Sequence, residues 1–266
     1  MTSIVESITV LASELGRATG AIGVGIGGSR ALGLDQLNSD WDLVLVFGHE
    51  NFKDPLQLRA ILEPLSESGS INVFGNYLSG ACRGAPFEIF QKSNLAVLNE
   101  FRKAQRGEFG WKASPLFPHG DISTRLLSHI KYMNIAWQRD LGLTKLQESI
   151  EPFPKELRKS LCEFFCQRAA ECIISLRRFG HHSGMYEAIG LLSAFVAHTS
   201  IILCAAHDLY PVIEKGRDAF VKSLPRTPTG YFSGLTQGFE LIQNGDWFKS
   251  ANNLEQVLAD LRILVR

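Results

Sequence analysis

The sequence predicts an α/β (α+β) protein in two parts: a mixed sheet with helices over residues 1–118, then an all-helical part over residues 119–266. Two observations carry this. Up to about residue 92, apolar runs of strand length alternate with stretches of helical period. From Asp121 onward the apolar positions recur at helical spacing and strand-like runs disappear. Between the two parts, Ser114-Pro115 and Phe117-Pro118-His119-Gly120 read as a linker.

In chain order, Ile4, Ile8, Leu11 and Leu15 lie on one face of a helix over 3–15, which Gly16 and Gly20 would end. Ala21–Ile26 is strand-like, and a second strand runs from about Asp40 to Phe47, closing at Gly48. Asp54-Pro55 starts a short helix over Leu56–Leu65, and Ser66–Ser70 is a turn. Ile71–Leu78 reads as one strand, Gly80–Gly84 as a loop, and Pro86–Gln91 as a further strand carrying Glu88. Phe101–Arg106 is a local basic cluster of the kind usually found on a solvated face. Asp121 is placed to cap a helix over Ile122–Asp140. Helices follow from Pro154 to Phe179, Gly184 to Leu209, Tyr231 to Asn244 and Ser250 to Val265, with a loop at Leu224–Gly230.

The chemistry concentrates between residues 26 and 46. A glycine turn, Gly27-Gly28-Ser29, is followed after ten residues by Asp40-Trp41-Asp42 at the head of an apolar run. Side chains two apart on a strand share a face, so Asp40 and Asp42 project together while Trp41 and Leu43 point away. Two like charges on one face add nothing to a purely structural sheet. A hard dication offsets their repulsion and prefers oxygen ligands, and two such ions can clamp the attacking and leaving oxygens of a phosphoryl displacement. The glycine turn suits close approach of a polyphosphate to backbone N–H groups, and a helix beginning near Ser29 would add its dipole.

Gly-Ser, ten residues, then Asp-x-Asp inside an apolar strand resembles the signature of nucleotidyltransferases related to DNA polymerase β, and most nearly the small-molecule branch that includes the aminoglycoside nucleotidyltransferases. The pattern covers about 20 of the 266 residues but joins residue type, spacing and strand context. The resemblance implies an enzyme with a catalytic domain over 1–118 and a helical, acceptor-binding domain over 119–266. It implies transfer of a nucleoside monophosphate, AMP from ATP foremost, to a hydroxyl of a small acceptor such as an antibiotic or metabolite, with release of pyrophosphate. Asp40 and Asp42 would bind two Mg²⁺, and Gly28, Ser29 and Arg30 would lie at the phosphates of ATP or another nucleoside triphosphate. Relatives carry a third carboxylate on a neighbouring strand, although often an aspartate. Glu88 is the candidate, as metal ligand or as general base; the plainer reading pairs it with Arg83 or Lys92 on a half-exposed strand. Relatives also place a helical-domain lysine on the triphosphate. Lys131 is the first candidate and Lys215 the second, against the plainer reading of solvated lysines. Some relatives are dimers with shared sites, so a homodimer is compatible. A toxin-type relative acting on RNA or protein, and a non-catalytic nucleotide-binding partner, are the alternatives. The intact acid pair speaks against the second.

Composition narrows the classes. Lys plus Arg and Asp plus Glu are each 27, so no global basic field favours long nucleic acid. Five cysteines without framework spacing fit a reducing, cytoplasmic setting. No secretory start is visible. Ala188–Ala206 carries no formal charge over nineteen residues but reads as a buried central helix rather than a membrane span. Cys162, Cys166, Cys172, Cys204 and His207 lack paired zinc spacing, so the cysteines read as core, and His181-His182 as cap and loop. Gly23-x-Gly25-x-x-Gly28 matches a dinucleotide fingerprint in spacing only: its first glycines fall inside the strand, and a Rossmann site has no role for Asp40 and Asp42.

Overall fold

The computed structural model describes residues 4–36, 39–49, 52–66, 70–74, 77–112, 119–179, 184–212 and 216–265. Residues 114–118 of the linker expected over 114–120 fall outside the described residues, as do the pair His181-His182 and Lys215. In chain order the first elements are α1 (Ile4–Thr19), β1 (Gly23–Ile26), α2 (Gly28–Ala31), β2 (Trp41–Phe47), α3 (Pro55–Leu62), β3 (Asn72–Phe74), β4 (Tyr77–Cys82), β5 (Ala85–Ser93) and α4 (Asn94–Gln105). A short ribbon follows, β6 (Trp111–Lys112) with β7 (Asp121–Ile122), then α5 (Arg125–Tyr132), β8 (Asn134–Gln138) and α6 (Gly142–Ser149). The chain ends in α7 (Lys155–Phe179), α8 (Met185–Ala206), α9 (Arg217–Lys222), α10 (Tyr231–Gln243) and α11 (Trp247–Leu264).

These elements form two compact units: Met1–Arg102 with Leu126–Pro152, and Lys103–Arg125 with Phe153–Arg266. The chain therefore passes between them three times, where the sequence suggests a single passage near residue 118. The return of 126–152 to the first unit has a structural cause, since β8 extends the sheet beside β1.

The first unit holds a six-stranded sheet in the order β3-β4-β5-β2-β1-β8. Its central pair, β2 with β5, is parallel, and the other pairs are antiparallel. Leu43 and Leu45 of β2, Phe87 and Ile89 of β5 and Leu78 of β4 share a core with Ile8, Leu11 and Leu15 of α1 and Leu58 and Leu62 of α3. Each is an alternate residue of its strand or falls at helical spacing, so one sheet face and two amphipathic stripes close on each other. Asp54 caps α3 as expected, accepting the Leu56 N–H at 2.8 Å, with Pro55 in the first turn.

Four readings of the sequence change here. The helix expected over 122–140 is instead β7, the two-turn α5 and β8; Asp121 is on the ribbon, ion-paired with Arg125 at 2.9 Å. The strand expected over 71–78 is the antiparallel pair β3 and β4, for which the Gly75-Asn76 dipeptide is a turn signal in the sequence. The loop expected over 80–84 shrinks to Arg83-Gly84, both at positive φ (51° and 77°), a tight hairpin turn between β4 and β5. Finally, α1 runs through Gly16 rather than ending there. That glycine serves packing: a Cβ on it would lie 2.0 Å from Trp137 Cε3 of β8.

A stability prediction follows from the last point. Alanine is the better helix former by about 1 kcal/mol, but in Gly16→Ala the collision with the indole is expected to outweigh this, with a net loss of about 1–3 kcal/mol. Gly190 lies mid-helix in α8, where an added Cβ would meet nothing within 4 Å. Gly190→Ala is therefore expected to stabilise by up to about 1 kcal/mol. Urea midpoints of the two variants check this; equal shifts would mean the Trp137 contact does not constrain Gly16.

The second unit is built on α7, α8, α10 and α11 with the β6–β7 ribbon. α8 is long and apolar enough by composition to cross a membrane, and 67% of its most apolar window is buried inside the protein. Phe195, Ile202, Leu203 and Cys204 are wholly buried, and Thr199 hydrogen-bonds the Tyr231 hydroxyl at 2.9 Å. All five cysteines are free.

Candidate active site

The carboxylates expected to act together do come together. In the parallel pairing of β2 and β5, Asp42 lies directly opposite Glu88. Neighbouring strands are about 4.8 Å apart, and residues opposite one another in a ladder share a face. Asp40, two residues before Asp42, projects to that same face. One carboxylate oxygen from each of Asp40, Asp42 and Glu88 lies within 4.8 Å of the other two, and all three residues are half-buried. Among the described residues this is the one group of three or more His, Cys, Asp or Glu placed to share an ion. Trp41 points the other way, into the core with Leu43 and Phe87. The alternation of β2 thus supplies both an anchored strand and an acidic face.

The glycine turn is tied to the same place. Gly27 N–H donates to the Asp42 carbonyl at 2.7 Å, continuing the β1–β2 ladder in which Ile26 faces Leu43. Gly28 then adopts φ +62°, and a Cβ on it would stand 1.7 Å from Asp42 Oδ2. The Asp42 carboxylate occupies the space that any other residue at position 28 would fill. Ser29 follows, half-buried, its carbonyl accepting the Leu34 N–H at 2.9 Å. The expected helix near Ser29 exists, but α2 is a single turn of four residues, so its dipole adds little.

Arg30 is engaged locally. Its Nε donates to the Asp40 carbonyl at 3.1 Å, Nη2 to the Ser39 carbonyl at 2.5 Å and Nη1 to Asp35 at 3.0 Å, and its guanidinium stacks on the Trp41 ring at 4.1 Å. These contacts hold the backbone that presents Asp40. Lys131 belongs to the sheet unit, on α5, rather than to the helical unit, and its ammonium is 2.5 Å from Glu151. β8 begins just after α5, with Asn134 opposite Ile26, so α5 ends at the sheet edge from which the glycine turn leaves. The partners Asp35 and Glu151 carried no signal in the sequence, because each meets its cation through tertiary placement.

The trio meets the elementary requirements of a divalent cation. Three ionised carboxylates this close repel by a few kcal/mol per pair at an effective dielectric of about 20. Octahedral Mg²⁺ with bonds of about 2.0–2.1 Å brings oxygens to about 3–4 Å of one another, and the trio's oxygens already lie within 4.8 Å. The donor set is all oxygen, as Mg²⁺ prefers. The cysteine and histidine alternatives offer no such cluster among the described residues.

No protein-family model matches the chain, and no curated protein sequence matches it. Among solved structures the chain is similar to a nucleotidyltransferase-like protein from Exiguobacterium sibiricum, at 13% identity and a TM-score of 0.44, over 97% of this chain and 75% of that one.

Proposed function

We propose that the sheet unit carries a metal-dependent nucleotidyltransferase site that moves a nucleoside monophosphate, AMP from ATP foremost, onto a hydroxyl of a small acceptor. The observation that carries this reading is the convergence of Asp40, Asp42 and Glu88 beside a glycine whose Cβ position Asp42 occupies. Asp40 and Asp42 hold Mg²⁺, with Glu88 completing the site or taking the acceptor proton. Bound Mg²⁺ would supply charge neutralisation on the triphosphate and on the attacking oxygen. Gly28 and Ser29 lie against the phosphates, and Arg30 braces Asp40 from behind. The acceptor oxygen forms a bond to the α-phosphorus, the bond from that phosphorus to the leaving oxygen breaks, and pyrophosphate departs. The acceptor proton passes to Glu88 or to water. Lys131 approaches the phosphates only by exchanging its Glu151 partner for them. Equal numbers of acidic and basic residues favour a small acceptor over a long nucleic acid, and five free cysteines favour the cytoplasm.

The direct test is linkage. ATP with Mg²⁺, at a hundredfold excess over Kd, stabilises by about 2.7 kcal/mol, which a thermal melt reads as a rise of several degrees. Asp40→Asn and Asp42→Asn are each expected to remove most of that rise. Without ligand the same variants should melt at the wild-type temperature or above, because each takes one charge from a crowded site. Full retention of the ATP–Mg²⁺ shift in both variants would move the nucleotide site elsewhere. Incubation with each labelled nucleoside triphosphate and a panel of hydroxyl acceptors then identifies the acceptor; label appearing on RNA or protein instead would overturn the small-molecule reading.

A further inference from the structure

Within the helical unit, the turn that ends α4 lies directly on α7. Gly107 N–H donates to the Ala104 carbonyl at 2.9 Å and Glu108 N–H to the Lys103 carbonyl at 3.0 Å, the two bonds of a Schellman stop, with Gly107 at φ +74°. A Cβ on Gly107 would stand 2.6 Å from Ser160 Oγ and 3.0 Å from the Glu156 carbonyl, so only glycine lets the turn come this close to α7. Three residues on, Gly110 N–H donates to Ser123 Oγ at 2.8 Å, and Ser123 N–H returns a bond to the Gly110 carbonyl at 2.9 Å. The segment between Gly107 and Gly110 is thereby fixed at both ends.

Along this seam Glu108, Phe109 and Trp111, with Ser160, Glu163 and Phe164 of α7, line a cavity of about 500 Å³. The three α7 residues fall at helical spacing and share one face. The three rings are all half-buried. Phe109 and Phe164 meet edge to face, with centroids 5.4 Å apart and planes at 85°, and Trp111 lies 5.9 Å from Phe164 at 59°. Wholly buried Phe165 stacks on Phe109 at 6.1 Å, and the Arg168 guanidinium covers one face of Trp111 at 4.6 Å. The Nε1 edge of Trp111 is packed against Gly120 and buried. The rings therefore offer the cavity aromatic carbon and no N–H donor.

The charged residues of the lining are both acidic. Glu108 is matched by Arg106, whose Nε and Nη2 donate to its two oxygens at 2.8 and 2.9 Å. Glu163 is exposed and has no ion pair or hydrogen bond among the described residues, Lys159 one turn before it included. Aromatic carbon beside an unmatched carboxylate attracts a cation that needs few hydrogen bonds. A primary ammonium is strongly hydrated and asks for three acceptors, which this lining does not supply. A trimethylammonium group has no N–H to satisfy, spreads its charge over its methyl groups and is held by aromatic rings.

We propose that this cavity binds a small soluble molecule carrying a trimethylammonium group, its methyls against Phe109, Trp111 and Phe164 and its charge beside Glu163. A volume of about 500 Å³ is ample for such a molecule. The inference is independent of the nucleotidyltransferase reading, since every residue it uses belongs to the helical unit.

The probe is choline, titrated at constant ionic strength into the full chain and followed by the indole resonances of Trp111, assigned through Trp111→Phe. A ligand of this size binds at about millimolar strength, so the shift is expected to saturate below about 100 mM. The neutral isostere 3,3-dimethylbutan-1-ol has the same shape without the charge and should need at least about tenfold more. Glu163→Gln, at an exposed position, should melt as the wild type does and bind choline about threefold more weakly. Asp42→Asn, in the other unit, should leave the choline response intact, so the two readings fail separately. A choline response that does not saturate below about 100 mM, or equal affinities for choline and the alcohol, overturns the proposal.

Discussion

Gly28→Ala is expected to abolish Mg²⁺-dependent ATP binding, by a hundredfold or more in Kd, while the protein remains folded. Two effects act at this position and can be separated. The first is backbone strain: at φ +62° an alanine costs about 1–2 kcal/mol. The second is the collision of the new Cβ with Asp42 Oδ2 at 1.7 Å. Neither the turn nor β2 can yield far, because Gly27 N–H is hydrogen-bonded to the Asp42 carbonyl and β2 is paired on both sides. The group in collision is the Asp42 carboxylate itself, so it is expected to be displaced from Asp40 and Glu88, which dissolves the trio. Gly33→Ala is the control. Gly33 sits at nearly the same φ, +65°, with nothing within 4 Å of a Cβ. It should lose similar stability in a urea melt and bind ATP–Mg²⁺ as the wild type does. Calorimetric titration of both variants decides the matter: equal affinities would show that Asp42 has no role in holding the ligand, or that the turn relaxes freely.

This contrast also shows what the sequence could and could not convey. The acid pair was legible because alternation on a strand is local: Asp40 and Asp42 share a face whatever surrounds them. Glu88 was legible only as a carboxylate on some strand; its place opposite Asp42 depends on a parallel register set by the packing of β5 beside β2. Gly28 read as a phosphate turn, yet the structure gives it a second task, leaving room for Asp42. β8 was hidden because Asn134–Gln138 continues from a helical stretch without a Gly or Pro break. It becomes a strand through pairing with the edge of β1, a tertiary cause that overrides a local pattern. Gly16 misled for a related reason. A glycine inside a helical pattern reads as a terminator, whereas here it admits the ring of Trp137 from a strand far along the chain. The contacts of Arg30 and Lys131 were beyond reach, since a charged side chain's partner is set by the fold and not by its neighbours in sequence.

Glu88→Gln is expected to leave ATP–Mg²⁺ binding nearly normal and to reduce turnover by about a hundredfold or more, the scale of losing a general base. The substitution preserves size and hydrogen-bonding shape and removes only the charge. Asp40 and Asp42 remain to hold the nucleotide-bound ion, so the ground state changes little. What is lost acts on the attacking oxygen, as proton acceptor or as the ligand of a second ion. The two roles diverge in the same variant. A lost base flattens the acidic limb of the pH–rate profile, because the group whose protonation silenced the enzyme is gone. A lost ligand instead raises the Mg²⁺ concentration needed for half-maximal turnover and leaves the limb in place. The rival reading, a half-exposed strand glutamate paired with Arg83 or Lys92, predicts a different pattern: a stability change of about 1 kcal/mol at most and unaltered turnover. The register favours the first outcome. Glu88 sits opposite Asp42 in the parallel ladder, with a carboxylate oxygen within 4.8 Å of one on each aspartate. An unchanged rate in Glu88→Gln, measured with any acceptor the wild type labels, would reduce the site to its two aspartates.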